Sequence, residues 1–436
     1  MNSSIFKVLA SKNCTLLVFA GLLLHSVQSD KLFAQKQELD SACIQRDLPD
    51  VLRKNKPIKE KPVNASSKSI IVFPIIGSNP ATGFMVGLGG QMAFKVPQSK
   101  QFSMISGSLQ ATTKNQYLVI LKNNIYTKGE RLFLTGDWRF QIFSQATYGL
   151  GTNAPEGGIL AWQIGLAGNP VNFDSLAQPM TYNFLRFHQI VSFKIKPQIY
   201  FGAGLKFDGY TKIVDEKLNL GPEDTLITSH YAYSKFYGFD TSRYFASSVF
   251  GSFIIDKRDN MIRPYKGYFL SVGLRSNLKL LGSQKNTSQF LLEWRSFHNV
   301  DKKRPAHLIG LWLIGEFAPD GEMPYMTLPA TAYDQRSRSG RGYTQGRFRG
   351  NNYAYGEAEY RFPISKCGGI WSGVAFVNAT TANNPATKHK IFESVRPGYG
   401  LGLRVLIDKQ SRTNLALDWG FGQRSSGFYL AVSETF

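Results

Sequence analysis

From Ser69 onward the chain alternates large apolar residues with small or polar ones at every second position. Between Gly83 and Val96, Phe84, Val86, Leu88, Met92 and Phe94 share one face of an extended chain, while Met85, Gly87, Gly89, Gln91, Ala93 and Lys95 share the other. Near the end, Leu415, Leu417, Trp419 and Phe421 alternate with Asn414, Ala416, Asp418 and Gly420. Period two means strands, because successive side chains point to opposite faces. A soluble sandwich alternates as well, but it places charges on its outer face. Here the second face is mostly Gly, Ala, Ser, Asn and Gln. Apolar outside and wet inside is the pattern of a strand between lipid and an aqueous lumen. Such segments start near residues 69, 82, 101, 116, 131, 181, 198, 244, 265, 287, 306, 352, 369, 398, 412 and 426. The even total predicts an all-β fold, a 16-stranded antiparallel transmembrane β-barrel over residues 69–436.

With the N-terminus on the periplasmic side, odd-to-even connections are external. The long ones obey that rule, at 144–180, 216–243 and 320–351, and the even-to-odd ones are short, as at 97–100, 259–264 and 364–368. The chain ends FYLAVSETF, which sets Phe428, Leu430, Val432 and Phe436 on the expected lipid face, with Glu434 interrupting it.

The front of the chain is different. Lys7 and Lys12 precede an apolar run from Leu16 to Leu24, followed by small and polar residues. Those three parts make residues 1–29 a secretory signal, too short to span a bilayer as a helix. Cleavage after Ser29 and after Ala34 both fit. Residues 30–68 are polar and rich in Lys and Pro, an extended periplasmic linker. No later window holds the ~18 consecutive apolar residues of a spanning helix, so any membrane span is made of strands. The expected location is the outer membrane of a Gram-negative bacterium.

Composition narrows the partners. The formal charge is +21, with only 19% of residues charged, beside 41 Gly, 20 Tyr and 32 Phe. Basic charge can signal nucleic acid, but in an exported barrel it points to outer-membrane lipid and lipopolysaccharide, and no nucleic-acid partner is expected. Three cysteines exclude a disulfide scaffold or a multi-zinc protein. The exported pair, Cys43 and Cys367, fits a bridge beneath the barrel and fits two free thiols equally well.

The charged chemistry concentrates in Ser339–Pro363, SGRGYTQGRFRGNNYAYGEAEYRFP. Arg336, Arg338, Arg341, Arg347 and Arg349 crowd one loop and repel one another unless solvated or paired. Glu357, Glu359 and Arg361 alternate with Ala358, Tyr360 and Phe362, so the carboxylates point into the lumen if the aromatics face lipid. Gly342 and Gly346 allow sharp turns. The loop then either stays exposed and hydrated or folds inward to set Arg341 against a carboxylate as a charge-assisted fork.

This segment resembles the sixth external loop and following strand of the BamA/TamA superfamily of outer-membrane assembly and translocation barrels, the bacterial surface antigen family. Arg341, Gly342 and Tyr343 match its Arg-Gly-aromatic motif, with Gly340 where an apolar residue is usual. Upstream, Asp256, Arg258, Asp259, Asn260, Pro264 and Gly267 match its run before strand nine. The resemblance implies a long sixth loop folded into the lumen, with Glu359 as the main counter-ion of Arg341 and Glu357 beside it. It departs at Asn378, where the family carries an acid, so this partner brings no charge. It also departs at the front, where about forty residues leave no room for a POTRA domain. The implied role is insertion or translocation of proteins or lipids at the outer membrane, with periplasmic or outer-membrane accessory proteins as partners. The class works through a weak first-to-last strand seam, and Pro74 in the first strand removes a ladder donor.

No GxSxG, HExxH or P-loop motif is present, and the six histidines show no ligand spacing. No catalytic residue, metal or cofactor is expected, and the chain is read as a non-enzyme, His188 being a wall residue. A lipase built on a Ser and a His of the barrel wall would evade such motifs. The rival without assembly function is a passive, anion-preferring porin with the arginine loop as its constriction.

Overall fold

The computed structural model describes residues 45–53, 68–79, 83–154, 177–221, 226–365 and 369–436. The alternating segments become β1 (Lys68–Asn79), β2 (Gly83–Lys95), β3 (Phe102–Thr112), β4 (Tyr117–Tyr126), β5 (Leu132–Thr147), β6 (Gln178–Lys196), β7 (Ile199–Asp215) and β8 (Tyr244–Asp256). They continue as β9 (Gly267–Asn277), β10 (Thr287–Asn299), β11 (Leu308–Asp320), β12 (Asn352–Pro363), β13 (Trp371–Ala382), β14 (Arg396–Asp408), β15 (Thr413–Gly422) and β16 (Ser425–Val432). Each starts within three residues of its expected position. All sixteen pair in chain order in one antiparallel sheet. Two short helices sit outside it, α1 (Leu48–Leu52) and α2 (Ser229–Tyr237).

The two faces separate as the alternation demands. On β5 and β6, Trp138 opposes Phe187 and Phe140 opposes Leu185. All four point outward, Trp138 36% and Leu185 48% exposed. Trp419 and Leu401 do the same on β15 and β14. Apolar surface left in water forgoes roughly 25 cal/mol per Å², and a belt this continuous is the lipid face of a membrane barrel.

Inside, the sheet curls around two inward-folded segments. One is the long connection 321–351 between β11 and β12. It touches β5, where Arg139 Nη1 donates to Ser337 at 3.2 Å, and β16, where Arg338 donates to the Leu430 carbonyl at 3.4 Å. The other is the turn 257–266 between β8 and β9. Gln101 beside β3 donates to its Arg258 carbonyl at 2.5 Å, and its Arg263 reaches Ser372 on β13 at 2.8 Å. Contacts with strands so far apart in the sheet require the two edges to approach. They meet where the Ser433 hydroxyl, just past β16, donates to Gln91 on β2 at 3.1 Å.

The C-terminal tail departs from its expected place. The chain reverses at Ser433, at φ +75°, so Glu434 and Phe436 leave the lipid face and turn inward. Phe436 stacks on Trp312, 5.4 Å between ring centres, and its carbonyl accepts from Arg361 at 3.2 Å. Glu434 pairs with Arg404 at 2.8 Å and Arg263 at 3.1 Å. An acid with two arginines in reach has no reason to interrupt a lipid surface. At the long-loop end, α2 and the aromatics Tyr233, Tyr244 and Tyr325 form a separate apolar cap.

Candidate functional site

The loop 321–351 is held in shape by its own residues first. Both carboxylate oxygens of Asp334 accept backbone N–H groups, from Arg336 at 2.8 Å, Arg338 at 3.0 Å and Ser339 at 2.8 Å. Arg349 donates to the Tyr325 carbonyl at 3.0 Å and the Tyr333 hydroxyl at 2.9 Å. The tip then lies flat on the inner face of β14–β16. Gly342, at φ +103°, sits so close to β15 that an added Cβ would come within 2.7 Å of the Phe421 backbone. Its N–H donates to the Tyr429 hydroxyl on β16 at 2.9 Å. The Tyr343 hydroxyl donates to the Pro397 carbonyl at 2.5 Å.

That placement delivers Arg341 into a buried carboxylate cluster. Its Nε and Nη2 fork onto Glu357 at 3.1 and 2.7 Å, Nη2 also meets Glu359, and Nη1 donates to Asp418 at 2.7 Å. The guanidinium lies over the Phe376 ring, 3.6 Å from its centre. Arg361 continues the network onto Glu359 and Arg404 onto Asp418. Asn378 is in the cluster in a different role: its amide donates to the Arg341 carbonyl at 2.9 Å. The alternation of β12 puts Glu357 and Glu359 on the inner face, and the register sets Glu357 opposite Asn378. Asp418 is the partner that sequence reasoning missed. Its signal was present, as the acid on the inner face of β15 among Asn414, Ala416 and Gly420.

The run before β9 builds the second inward segment. Arg258 forks onto Asp256 at 2.8 and 2.7 Å, and Tyr126 donates to the same carboxylate at 2.8 Å. Asn260 accepts from the N–H groups of Ile262 and Arg263 at 2.7 and 2.8 Å, and Asp259 accepts from Tyr265 at 2.9 Å. Asp259 also pairs with Arg412 at 2.6 Å. Pro264 is buried in the same turn. Gly267, at φ +95°, leaves no room for a Cβ, which would stand 2.1 Å from the Lys257 carbonyl oxygen.

Residues 222–436, the part of the chain that holds both inward segments, match the family model of the Omp85 superfamily domain. The family match is to this part of the chain. Among solved structures it is similar to BamA from Haemophilus ducreyi lacking POTRA domains 1–3, at 12% identity and a TM-score of 0.49. That match covers 84% of this chain and 69% of the other. No curated protein matches the chain by sequence.

Other groups singled out in the sequence have quieter places. His188 lies on the inner wall of the barrel, 3.0 Å from Asp208. His389 stands between Ser394 at 2.8 Å and Glu393 at 3.5 Å, yet the Ser394 hydroxyl is also bonded to Thr152 at 2.9 Å, which makes the group a loop staple. Among the described residues no group of three or more His, Cys, Asp or Glu is placed to hold a metal ion. Cys43, Cys367 and the signal segment 1–29 lie outside the described residues, as does most of the linker 30–68. Of that linker, α1 docks on the turn after β14 through Asp50 and Lys409, 2.8 Å apart.

Proposed function

We propose that this chain assists insertion or translocation of proteins or lipids at the outer membrane, opening the barrel between β1 and β16. The observation that carries this reading is the seam. β1 and β16 are the two ends of the sheet, and among the described residues no hydrogen-bonded register joins them. The eight residues of β16 face twelve in β1, so even a full ladder would leave part of β1 unpaired. A seam lacking most ladder bonds separates more readily than any other strand pair, since each net bond contributes about 1 kcal/mol. The docked loop is the control. Arg341 fastens it to the inner wall through Glu357, Glu359 and Asn378, Tyr343 fastens it through the Pro397 carbonyl, and Gly342 ties its tip to Tyr429 of β16 itself. Motion of β16 therefore requires motion of the loop. Accessory proteins in the periplasm or outer membrane supply client capture in this reading.

The test is a locked seam. Gln91→Cys with Ser433→Cys, in a chain whose other cysteines are Ser, places a disulfide from the end of β16 to β2, across β1, and so restrains the seam. Oxidation should stop the appearance of heat-modifiable client barrels or exported lipid in the outer membrane, and a reductant should restore it. Quantitative cross-linking without that loss would end this reading. A steady, anion-selective conductance in planar bilayers would make the chain a passive porin instead.

A further inference from the structure

Against β3–β11 lies a cavity of about 230 Å³, and Arg336 of the docked loop forms part of its wall. Most cations on that wall are already engaged. Arg186 and Arg275 hold Asp208 at 2.6 and 2.9 Å, Arg258 forks onto Asp256, and Arg295 meets Glu293. Arg336 differs. Among the described residues no carboxylate stands at ion-pair distance from its guanidinium. Asp334, two residues earlier, spends both oxygens on the loop backbone.

The neighbours of Arg336 sharpen the imbalance. Arg258 and Arg295 line the same cavity, with Glu293 and Asp334 also on its wall, and both arginines stack on Phe269, at 4.7 and 4.9 Å from the ring centre. Burial, together with those two guanidiniums, pulls Arg336 below the ordinary arginine range. Lys206, on the same cavity, rests 3.6 Å over the Phe250 ring, with no carboxylate at ion-pair distance among the described residues. Its facing acid, Glu316, accepts from the Gln289 amide at 2.9 Å. A guanidinium with no acid at ion-pair distance, on a wall where the other arginines are spent on their own acids, can take an anion from solution. Its planar fork matches two oxygens of a phosphate.

We propose that the lumen cavity is a phosphate site in which Arg336, on a wall that also carries Arg258 and Arg295, receives the phosphate of a monoester or diester. Met261 and Phe269 line the same space and give the carbon part of such an ester an apolar wall. The phosphate belongs either to a lipid headgroup or to a small soluble ion. The site is separate from the seam and does not depend on how the seam moves.

The test is calorimetric titration of the full chain, folded in phosphate-free detergent, with inorganic phosphate and with glycerol phosphate. Saturable binding is expected, weakened at least tenfold by Arg336→Gln and changed less than twofold by Arg304→Gln, an exposed arginine in the β10–β11 turn. Tighter binding of glycerol phosphate points to a lipid headgroup, and equal binding to the free ion. Should Arg336→Gln not fold, Arg336→Lys and Lys206→Gln are read instead, each expected to weaken binding severalfold. No saturable binding of either probe, or binding indifferent to these substitutions, overturns the site.

Discussion

Arg341 is the residue on which the docked loop turns. Four arginines (263, 341, 361 and 404) meet four acids (Glu357, Glu359, Asp418 and Glu434) in one buried network. Removing Arg341 leaves a carboxylate uncompensated where solvent cannot reach, which costs about 3–5 kcal/mol. Arg341→Ala should therefore lower the unfolding midpoint of detergent-folded protein far more than Arg338→Ala. Arg338 makes one long bond to a carbonyl, and its loss should cost at most about 1 kcal/mol. Equal, small effects would mean that the loop is merely solvated. Asn378→Asp is the companion experiment. Restoring the acid typical of the family looks favourable from sequence, but an aspartate cannot donate to the Arg341 carbonyl. It should destabilise the loop by about 1–3 kcal/mol, read as faster labelling of a cysteine placed in the tip.

At the scale of elements, the two inward segments are where the barrel departs from a plain tube. Gly267→Ala should disrupt the 257–266 turn, because the new Cβ meets the Lys257 carbonyl and the backbone sits at φ +95°. Loss of at least about 1–2 kcal/mol is expected from the left-handed backbone alone, seen as a reduced folded fraction on unheated gels. The tail 433–436 carries a pH signature. Burial alone would raise the Glu434 carboxyl, but Arg361, Arg404 and Arg263 outweigh it and hold it well below the usual carboxylate range. A carboxyl depressed in the folded state stabilises above its unfolded value, near about 4.3, and that stability drains away as pH falls further. Wild type should lose stability below that pH more steeply than Glu434→Gln, with both followed by acid unfolding in detergent.

At the scale of the whole molecule, the strands were legible in the sequence because their cause is local. A strand between lipid and water shows its two faces in every pair of residues, so the starts of β1–β16 could be read from alternation. The inner placement of Glu357 and Glu359 followed from the same rule. The docking of Arg341 did not follow from alternation. Residues alone left a hydrated loop and a clamp equally open. Asp418 could not be assigned either, since it stands 77 positions along the chain from Arg341 and meets it only after the sheet curls. The tail was misread for a related reason. Phe436 continues the period of Phe428 and Leu430 on paper, and a reversal at Ser433 overrides that period once Trp312, Arg361 and Arg404 are near. Alternation thus decided which face each side chain takes, because that depends on neighbours in sequence. Which charge meets which, and where an unmatched Arg336 is left, belong to the tertiary structure, because Coulomb partners are chosen by distance in space.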